Sequence, residues 1–493
     1  MGRFLDLIAC SGGCARRRFT LDGMSRLRIA IDPAVKERYG PEICWVWRLL
    51  LTDIGLPWEE VPVEHPQCDV AYVTDARRSC RSRIRISADL ERWECLGQQR
   101  LSAVAGSNGC WHPVFQGEAH TASPFAVAAG QVTCDRDIIF DLFWLTTGQA
   151  ERHFPKSTHG HYDLTGTVVH RERVLQRAPG SSIRSGLAEA LVAIGGPRPR
   201  ARWPQGKRAA ACFTHDVDYP HAIRLLEPLR ILHRQGLRGL AAIAAVVSGR
   251  RTHWHFSSWL ELERALGVQP AFYFVATQGS LLKWAAGTRD PFYDVRSPEF
   301  RDLFAYLQDE GVEVGLHASY RASEDRARFA TEKQVLEAAS GQPVRGNRHH
   351  YWRLNPDDPE STLLLHEQVG LTYDTSVAHE RYVGWRRGWS APYFPFHQQQ
   401  RRELKTLQIP TTWMDDQLFG HRADNPGERL EILGELAARA AAQGGCLCVD
   451  VHSHVFDDVL FPEWAATYRG LLEHLAARND FWVDTPAHVA QHW

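Results

Sequence analysis

The chain has 493 residues, two to three times the usual length of one domain, so length alone implies two or more domains. Lys and Arg number 57 against 58 Asp and Glu, a formal charge of −1, so the cationic excess that drives sequence-independent nucleic-acid binding is missing. A hydrophobic share of 44% with 23% charged residues is that of a globular protein folded nearly throughout, and no low-complexity tract argues otherwise.

The N-terminus, MGRFLDLIACSGGCARRRF, carries Asp6 inside its apolar patch and lacks a basic start followed by a sustained apolar run, which argues against a secretory signal. LIAC at 7–10 has too short an apolar lead for a lipoprotein cleavage box. Strand-like patterning begins only after Met24 (MSRLRIAID), so residues 1–23 are read as an extension that does not fold. The longest apolar stretch, GLAAIAAVV at 239–247, is less than half of the roughly 20 residues that span a bilayer. Of 11 cysteines, an odd number, none form a CxxC pair, which favours reduced, buried thiols and a cytoplasmic protein over a disulfide framework or a Cys-zinc site.

From 26 to 195 short apolar runs (LRIAI, CDVAYV) alternate with helical patterns such as ICWVWRLLLTDIG, predicting an N-terminal α/β domain over 24–195. It closes with a helix-like segment at 185–194. GGPRPRARWPQGKR, ending at Arg208, has no periodicity and reads as a linker over 196–208. Strand candidates then recur at 209–215, 270–276, 312–317, 404–410, 445–452 and 481–485, with helical patterns such as SPEFRDLFAYLQDEG and NPGERLEILGELAARAAAQGG between them. Strands alternating with helices predict a mostly parallel sheet, open or closed into a barrel, whose chemistry gathers at the carboxyl ends of the strands. No internal repeat is present.

Several strand candidates run into polar clusters: AAACFT into His215-Asp216-Val217-Asp218, VEVG into His317-Ala318-Ser319-Tyr320, and CLCVDV into His452-Ser453-His454. A further cluster, RGNRHHYWR, runs from Arg345 to Arg353. Carboxylates two apart on an extended segment point to one side, so one of Asp216 and Asp218 can bind a metal while its neighbour acts as base. A hydrolytic zinc site wants three His, Asp or Glu ligands and an open position whose water is acidified to about pH 7. Asp218, His317 and one of His349 and His350 supply such a set. Each residue alone reads equally as a satisfied polar group at a strand end. Their coincidence raises the metal reading.

Together, strand-HDVD, strand-GLHASY, RxxRHHYWR, YDTSV at 373–377, VDVH and the closing FWVDTPAHVAQHW resemble the polysaccharide deacetylase family, the NodB-homology or family 4 carbohydrate esterases. The resemblance covers about residues 205–493, and PAFYFVAT is similar to the second strand of that fold. With GWxxGxxxPYFPF at 384–396, the variant is similar to deacetylase-like proteins of bacterial surface-polysaccharide clusters. DIIFDLFWLTTGQAER (137–152) and HGHYDLTG (159–166) resemble the uncharacterised domain that precedes the catalytic part there.

The resemblance implies a distorted (β/α)7 barrel over 209–493 and a divalent metal, usually zinc. It implies Asp216 as general base, Asp218 and His317 as metal ligands, His452 as general acid, and the Arg345/Arg348 element as the arginine pairing with the base. It also implies the Tyr351 backbone N–H near the oxyanion; Tyr351, Trp352, Asp416 and His454, beside the motif loops, are the candidate substrate contacts.

Three departures stand out. Arg321 occupies the second position of H-x-x-x-H, Val217 separates the two aspartates, and RHHYWR replaces R-x-P-aromatic. His350 is therefore assigned the lost ligand position, with His349 as the alternative.

Blander readings accompany these. The HDVD carboxylates would merely cap a helix; His454 would be a loop histidine or the acid in place of His452; His253 and His255 would be surface or packing residues. Asp415 and Asp416 would orient His452, contact substrate, or be plain loop acids. Most of the 17 tryptophans would be core anchors, which leaves Trp352, Trp385 and Trp389 beside the motif loops as sugar-stacking candidates. The expected activity is metal-dependent removal of an N-acetyl group from a sugar, with no nucleic-acid partner. The alternatives are a hydrolase of non-sugar amides and a silent glycan-binding or scaffold barrel.

Overall fold

The computed structural model describes residues 26–493 apart from 76–81, 108–109, 158, 223–226, 281, 284–286 and 420–424, so the expected N-terminal extension lies outside the described residues. Among the described residues no helix is long and apolar enough to cross a membrane.

The first sheet contains β1 (Leu27–Ile31), β2 (Trp58–Val61), β3 (Val70–Val73) and β4 (Ile84–Ser87). After the separate antiparallel hairpin β5 (Leu101–Ser107) and β6 (Cys110–Phe115), it is completed by β7 (Ala126–Ala128) and β8 (Gln131–Cys134). Its order is β2-β1-β3-β4-β8-β7, parallel except for the β7–β8 pair. The helix Pro33–Ile54 starts where Asp32 accepts the Ala34 N–H at 3.0 Å and Pro33 presets the first turn, and it stops at Gly55 with φ 76°. This helix packs with Ile138–Thr146 and Pro179–Ala193 on the sheet face formed by Ile29, Ile31, Tyr72, Ile84 and Ile86.

The second sheet is parallel, in the order β16-β13-β12-β11-β10-β9-β18-β17, with β19 also on β9. Its strands are β9 (Ala209–Val217), β10 (Ala271–Phe274), β11 (Glu313–Ala318), β12 (Gly346–His349) and β13 (Tyr373–Asp374), then, beyond the small pair β14 (Phe396–His397) and β15 (Arg402–Glu403), β16 (Leu407–Gln408), β17 (Thr411–Met414), β18 (Cys446–Asp450) and β19 (Phe481–Val483). The ends of this order, β16 and β17, are neighbours in sequence, separated by Ile409 and Pro410, so the sheet curls round toward itself. Pro410 has no N–H to give a ladder, which is why the stretch registers as two short strands.

Side-chain alternation then assigns two interiors. Ala209, Ala211, Phe213 and Val217 face the outer helices. Ala210 and Cys212, with Tyr273, Tyr373, Cys446 and Cys448, fill the inside of the curl, plugged by Trp203 and Val489. Among the described residues the cysteines are free thiols.

The 384–396 motif joins the two parts of the chain. Trp389, Ala391, Tyr393 and Phe396 belong to the core of the first sheet, the Trp45 indole N–H donates to Phe394 O at 3.0 Å, and the Ser390 N–H donates to Ser181 Oγ at 2.7 Å. Trp385 and Trp389 are fully buried, so the expectation that they stack on a sugar is corrected: their rings close the junction. Trp203, in the stretch read as a linker, is likewise buried, its indole N–H donating to Gly444 O at 2.9 Å.

Trp389→Ala empties a buried site shared by both parts. It is expected to destabilise the protein by about 3–5 kcal/mol, seen as a lower urea midpoint. An unchanged midpoint would show that the junction is not a shared core.

Candidate functional site

The inward positions at the carboxyl ends of β9, β11, β12 and β18 carry the chemistry. On β9 the period of two turns Asp216, and Asp218 just beyond the strand, inward and sends His215 the other way. His215 is buried against Phe272 and Trp259, with Nε2 3.0 Å from Glu263 Oε1, so it is part of the core. The same rule separates the paired residues of β12. Arg348 and His350 face inward. His349 faces the helices, its Nε2 2.9 Å from His366 Nε2, and is no part of the cluster. Arg345 is exposed at the opposite end of β12, so the expected base-pairing role is corrected to Arg348 alone.

Asp218, His317 and His350 present ligand atoms within 4.8 Å of one another. His317 Nε2 lies 3.4 Å from Asp218 Oδ1, and His350 Nε2 lies 3.5 Å from Asp218 Oδ2. Ligands bound at 2.0–2.1 Å around a tetrahedral ion would lie roughly 3.4 Å apart, so separations of this size leave room for a small divalent ion. Buried Asp218 Oδ1 accepts no aligned hydrogen bond. The other nitrogen of each imidazole is engaged: His317 Nδ1–H donates to Arg348 O at 2.9 Å, and His350 Nδ1 faces Asp290 Oδ1 at 3.4 Å. Partners of this kind fix ring orientation and free Nε2 for a metal. The residues therefore fit a divalent ion.

A second group, Asp216, Asp450 and His452, also converges. Here Arg348 Nη1 stands 2.9 Å from both Asp216 Oδ1 and Asp450 Oδ1, so a guanidinium already occupies the place of a cation. The first group is the better metal site.

Burial, the largest influence, pushes Asp216 up, but Arg348, then His317 and His452, outweigh it and hold the carboxyl below its usual range. For Asp218 burial is likewise opposed by His350, His317 and His452, which leave it well below. Burial works against a charged His452, yet Asp415 first and then Asp218 and Asp450 raise it well above normal. Asp415 accepts the His452 N–H at 2.7 Å, and its carboxylate sits 3.1 Å from Nδ1. These surroundings favour the ionised form of Asp216 and the protonated form of His452, the pairing that acid–base chemistry needs.

Several of these partners were not assigned from sequence. Asp450 was legible, ending β18 two residues before His452 and so on the same side of the extended chain. Asp290, in the RDPFYDV loop, carries no such signal. Of the adjacent pair, Asp415 rather than Asp416 meets His452; Asp416 is exposed at the start of the short helix Asp416–Phe419. His454 is half-buried, ringed by Tyr219, His253 and Phe461, and burial and then His452 hold it well below its normal range, which makes it a poorer proton donor than His452. His253 is buried there. Trp352 lies buried with its ring under the Arg348 guanidinium at 4.9 Å, so the sugar contact expected of it is corrected to a support for Arg348. Tyr351 is half-buried beside His350, their rings 4.5 Å apart. Tyr351 and Trp352 adopt φ of 59° and 52°, left-handed conformations that cost about 1–3 kcal/mol each and persist only where the surroundings hold them. Arg321 is exposed, its Nε 3.3 Å from Thr288 Oγ1, away from the ligands.

Asp415→Asn keeps the shape but weakens the hold on His452. We expect kcat to fall about 10–100-fold with KM little changed; an unchanged kcat would remove Asp415 from the machinery.

No family model matches the chain, and no curated protein matches it. Similar solved structures include a polysaccharide deacetylase candidate from Mycobacterium smegmatis, with 18% identity, 59% of this chain and 91% of that one covered, and a TM-score of 0.38. The Puue allantoinase shares 17% identity, with 62% and 96% covered and a TM-score of 0.40. A protein from Pseudomonas aeruginosa PAO1 assigned as a polysaccharide deacetylase shares 16%, with 62% and 96% covered and a TM-score of 0.40.

Proposed function

We propose that the protein is a metal-dependent hydrolase that removes an acetyl group from the nitrogen of an N-acetylated sugar in bacterial surface-polysaccharide metabolism. On this reading 209–493 forms a distorted seven-stranded barrel, with β16 and β17 counted as one bent strand and β19 left as an extra strand on β9, and 24–195 an accessory domain joined through 196–208. The observation that carries the reading is the inward-facing set Asp218, His317 and His350, flanked by Asp216 paired with Arg348 at 2.9 Å and by His452 paired with Asp415 at 3.1 Å.

Asp218, His317 and His350 would hold the ion, for which zinc is the best fit. When bound, it would acidify a water and polarise the amide carbonyl. Asp216, kept ionised by Arg348, accepts the proton of the attacking water. Arg348 is fixed by Thr375 Oγ1, 3.1 Å from its Nε, and by the ring of Trp352 below it, so the base cannot swing away. His452, charged and oriented by Asp415, gives its proton to the departing nitrogen and so prevents the unfavourable loss of an amide anion. The surroundings match the roles: the base sits beside cations and the acid beside carboxylates.

Acetate release from N-acetylglucosamine oligomers, UDP-N-acetylglucosamine and a lipid-linked N-acetyl sugar tests the reading and sorts the sugar's linkage. Release from at least one supports it. Ring opening of a cyclic amide with no acetate released from any of these sugars would move the enzyme to non-sugar substrates, and binding without turnover of any would favour the silent barrel.

A further inference from the structure

The residues before β9 reach the site. Lys156 and Tyr162 are bridged antiparallel, and residues 159–161 between them lie against the loop that follows β12. The His161 imidazole N–H, at Nε2, donates to the carbonyl of Tyr351. Burial first and Arg386 second hold this ring well below its normal range, so it is neutral and the nitrogen facing the carbonyl carries the proton. His159 stacks on the Tyr351 ring at 4.4 Å and places Nδ1 3.1 Å from Tyr320 Oη. Between them Gly160, with φ 82°, comes so close that a Cβ would stand 2.8 Å from Pro356 Cβ. Lys156 pairs with Asp357 at 3.1 Å, and His379 Nε2–H donates to Tyr162 O at 2.9 Å.

The fastened loop is the left-handed pair Tyr351–Trp352, immediately after the ligand His350 and just past Arg348. Such backbone holds only when its neighbours over-determine it. Trp352 is held by packing with Ala378 and Met414. The carbonyl of Tyr351 is held by His161.

We infer that the segment preceding the catalytic sheet completes the active site: His161 is a positioning residue that holds the Tyr351–Trp352 turn and through it His350, and His159 with Tyr351 and Tyr320 forms an aromatic wall of the substrate mouth contributed from the N-terminal part of the chain. This gives that part a task in the reaction and rests on the proposed hydrolase only for its kinetic consequence. A half-exposed imidazole stacked on a tyrosine suits the apolar face of a pyranose ring, with the hydroxyl and imidazole edges left for polar groups.

The test compares the full-length wild type with H161A, H161Q and H159A. It reads hydrogen–deuterium exchange over 349–354, zinc affinity by chelator competition, and kcat and KM for acetate release. H161A is expected to exchange faster in that segment and to bind zinc about 10–100-fold more weakly, with kcat reduced and KM within about twofold. H161Q retains an N–H donor and recovers most of both. H159A keeps zinc affinity and kcat but raises KM about 2- to 10-fold.

Wild-type exchange and zinc affinity in H161A would overturn the positioning role. So would equal losses in H161A and H161Q accompanied by a lower melting temperature. An unchanged KM in H159A would overturn the wall. A wild type that neither binds zinc nor releases acetate would remove the proposed function, while the exchange comparison still decides the positioning.

Discussion

Asp216→Asn lowers kcat for acetate release by about 10²–10⁴-fold while the metal stays bound. The amide keeps the shape of the carboxylate, so the buried pocket is not emptied, but it cannot take a proton. Arg348 retains Asp450 at 2.9 Å and Thr375 at 3.1 Å, so the guanidinium is not left unpartnered. The result also separates the two convergent groups. With the metal on Asp218, His317 and His350, the variant holds zinc as the wild type does; with the metal on Asp216, Asp450 and His452, zinc is lost together with activity. Kinetics and metal content on one preparation decide between them.

His350→Ala removes a metal ligand in a chain where Arg321 stands at the position of the usual second histidine. Only Asp218 and His317 then remain of the set. Zinc affinity is expected to fall well beyond the roughly 10–100-fold that follows loss of a ligand's hydrogen-bond partner, and turnover with it. His349→Ala is the matched control. Its ring faces His366 and the helix layer, so the variant keeps zinc and loses only packing. Were H350A to bind zinc as tightly as wild type, the replacement of the lost histidine by its neighbour would be wrong. If H349A were the one to lose zinc, the strand's facing would be wrong as well.

What the sequence revealed and what it hid follow from the same physics. Long apolar runs such as AAACFT and CLCVDV are strands buried on both faces, and they stand out because a central parallel strand is apolar throughout. GNRH and YD, which form β12 and β13, do not, since Arg348 lines the site and Asn347, His349 and Asp374, on the helix-facing side, are polar as well and pair with one another and with His366. The period of two put Asp216 and Asp218 on one side, whereas Arg348, His350 and His452 came from the resemblance to the deacetylase family; the same period carried into RHHYWR and VDVH separates His350 from His349 and puts Asp450 beside His452.

Asp290 and His161 were beyond that rule. Each comes from a loop whose path only the folded chain fixes: Asp290 does not differ in sequence from an ordinary loop acid, and His161 lies in HGHYDLTG, which the resemblance marked without giving it a task. The tryptophans misled for a related reason. A motif rich in Gly, Trp and Pro reads as a site loop, yet 384–396 is rich in them because it threads two cores together, with Gly384 at φ 114° packed against the Leu175 backbone.

The most direct test of the account is acetate release by the purified wild type before chelation, after stripping with a strong chelator, and after one equivalent of zinc is returned. The account predicts release that stops when the ion is removed and returns with zinc. Undiminished release from the stripped protein, or none from the protein saturated with zinc across the N-acetyl sugars above, would contradict it.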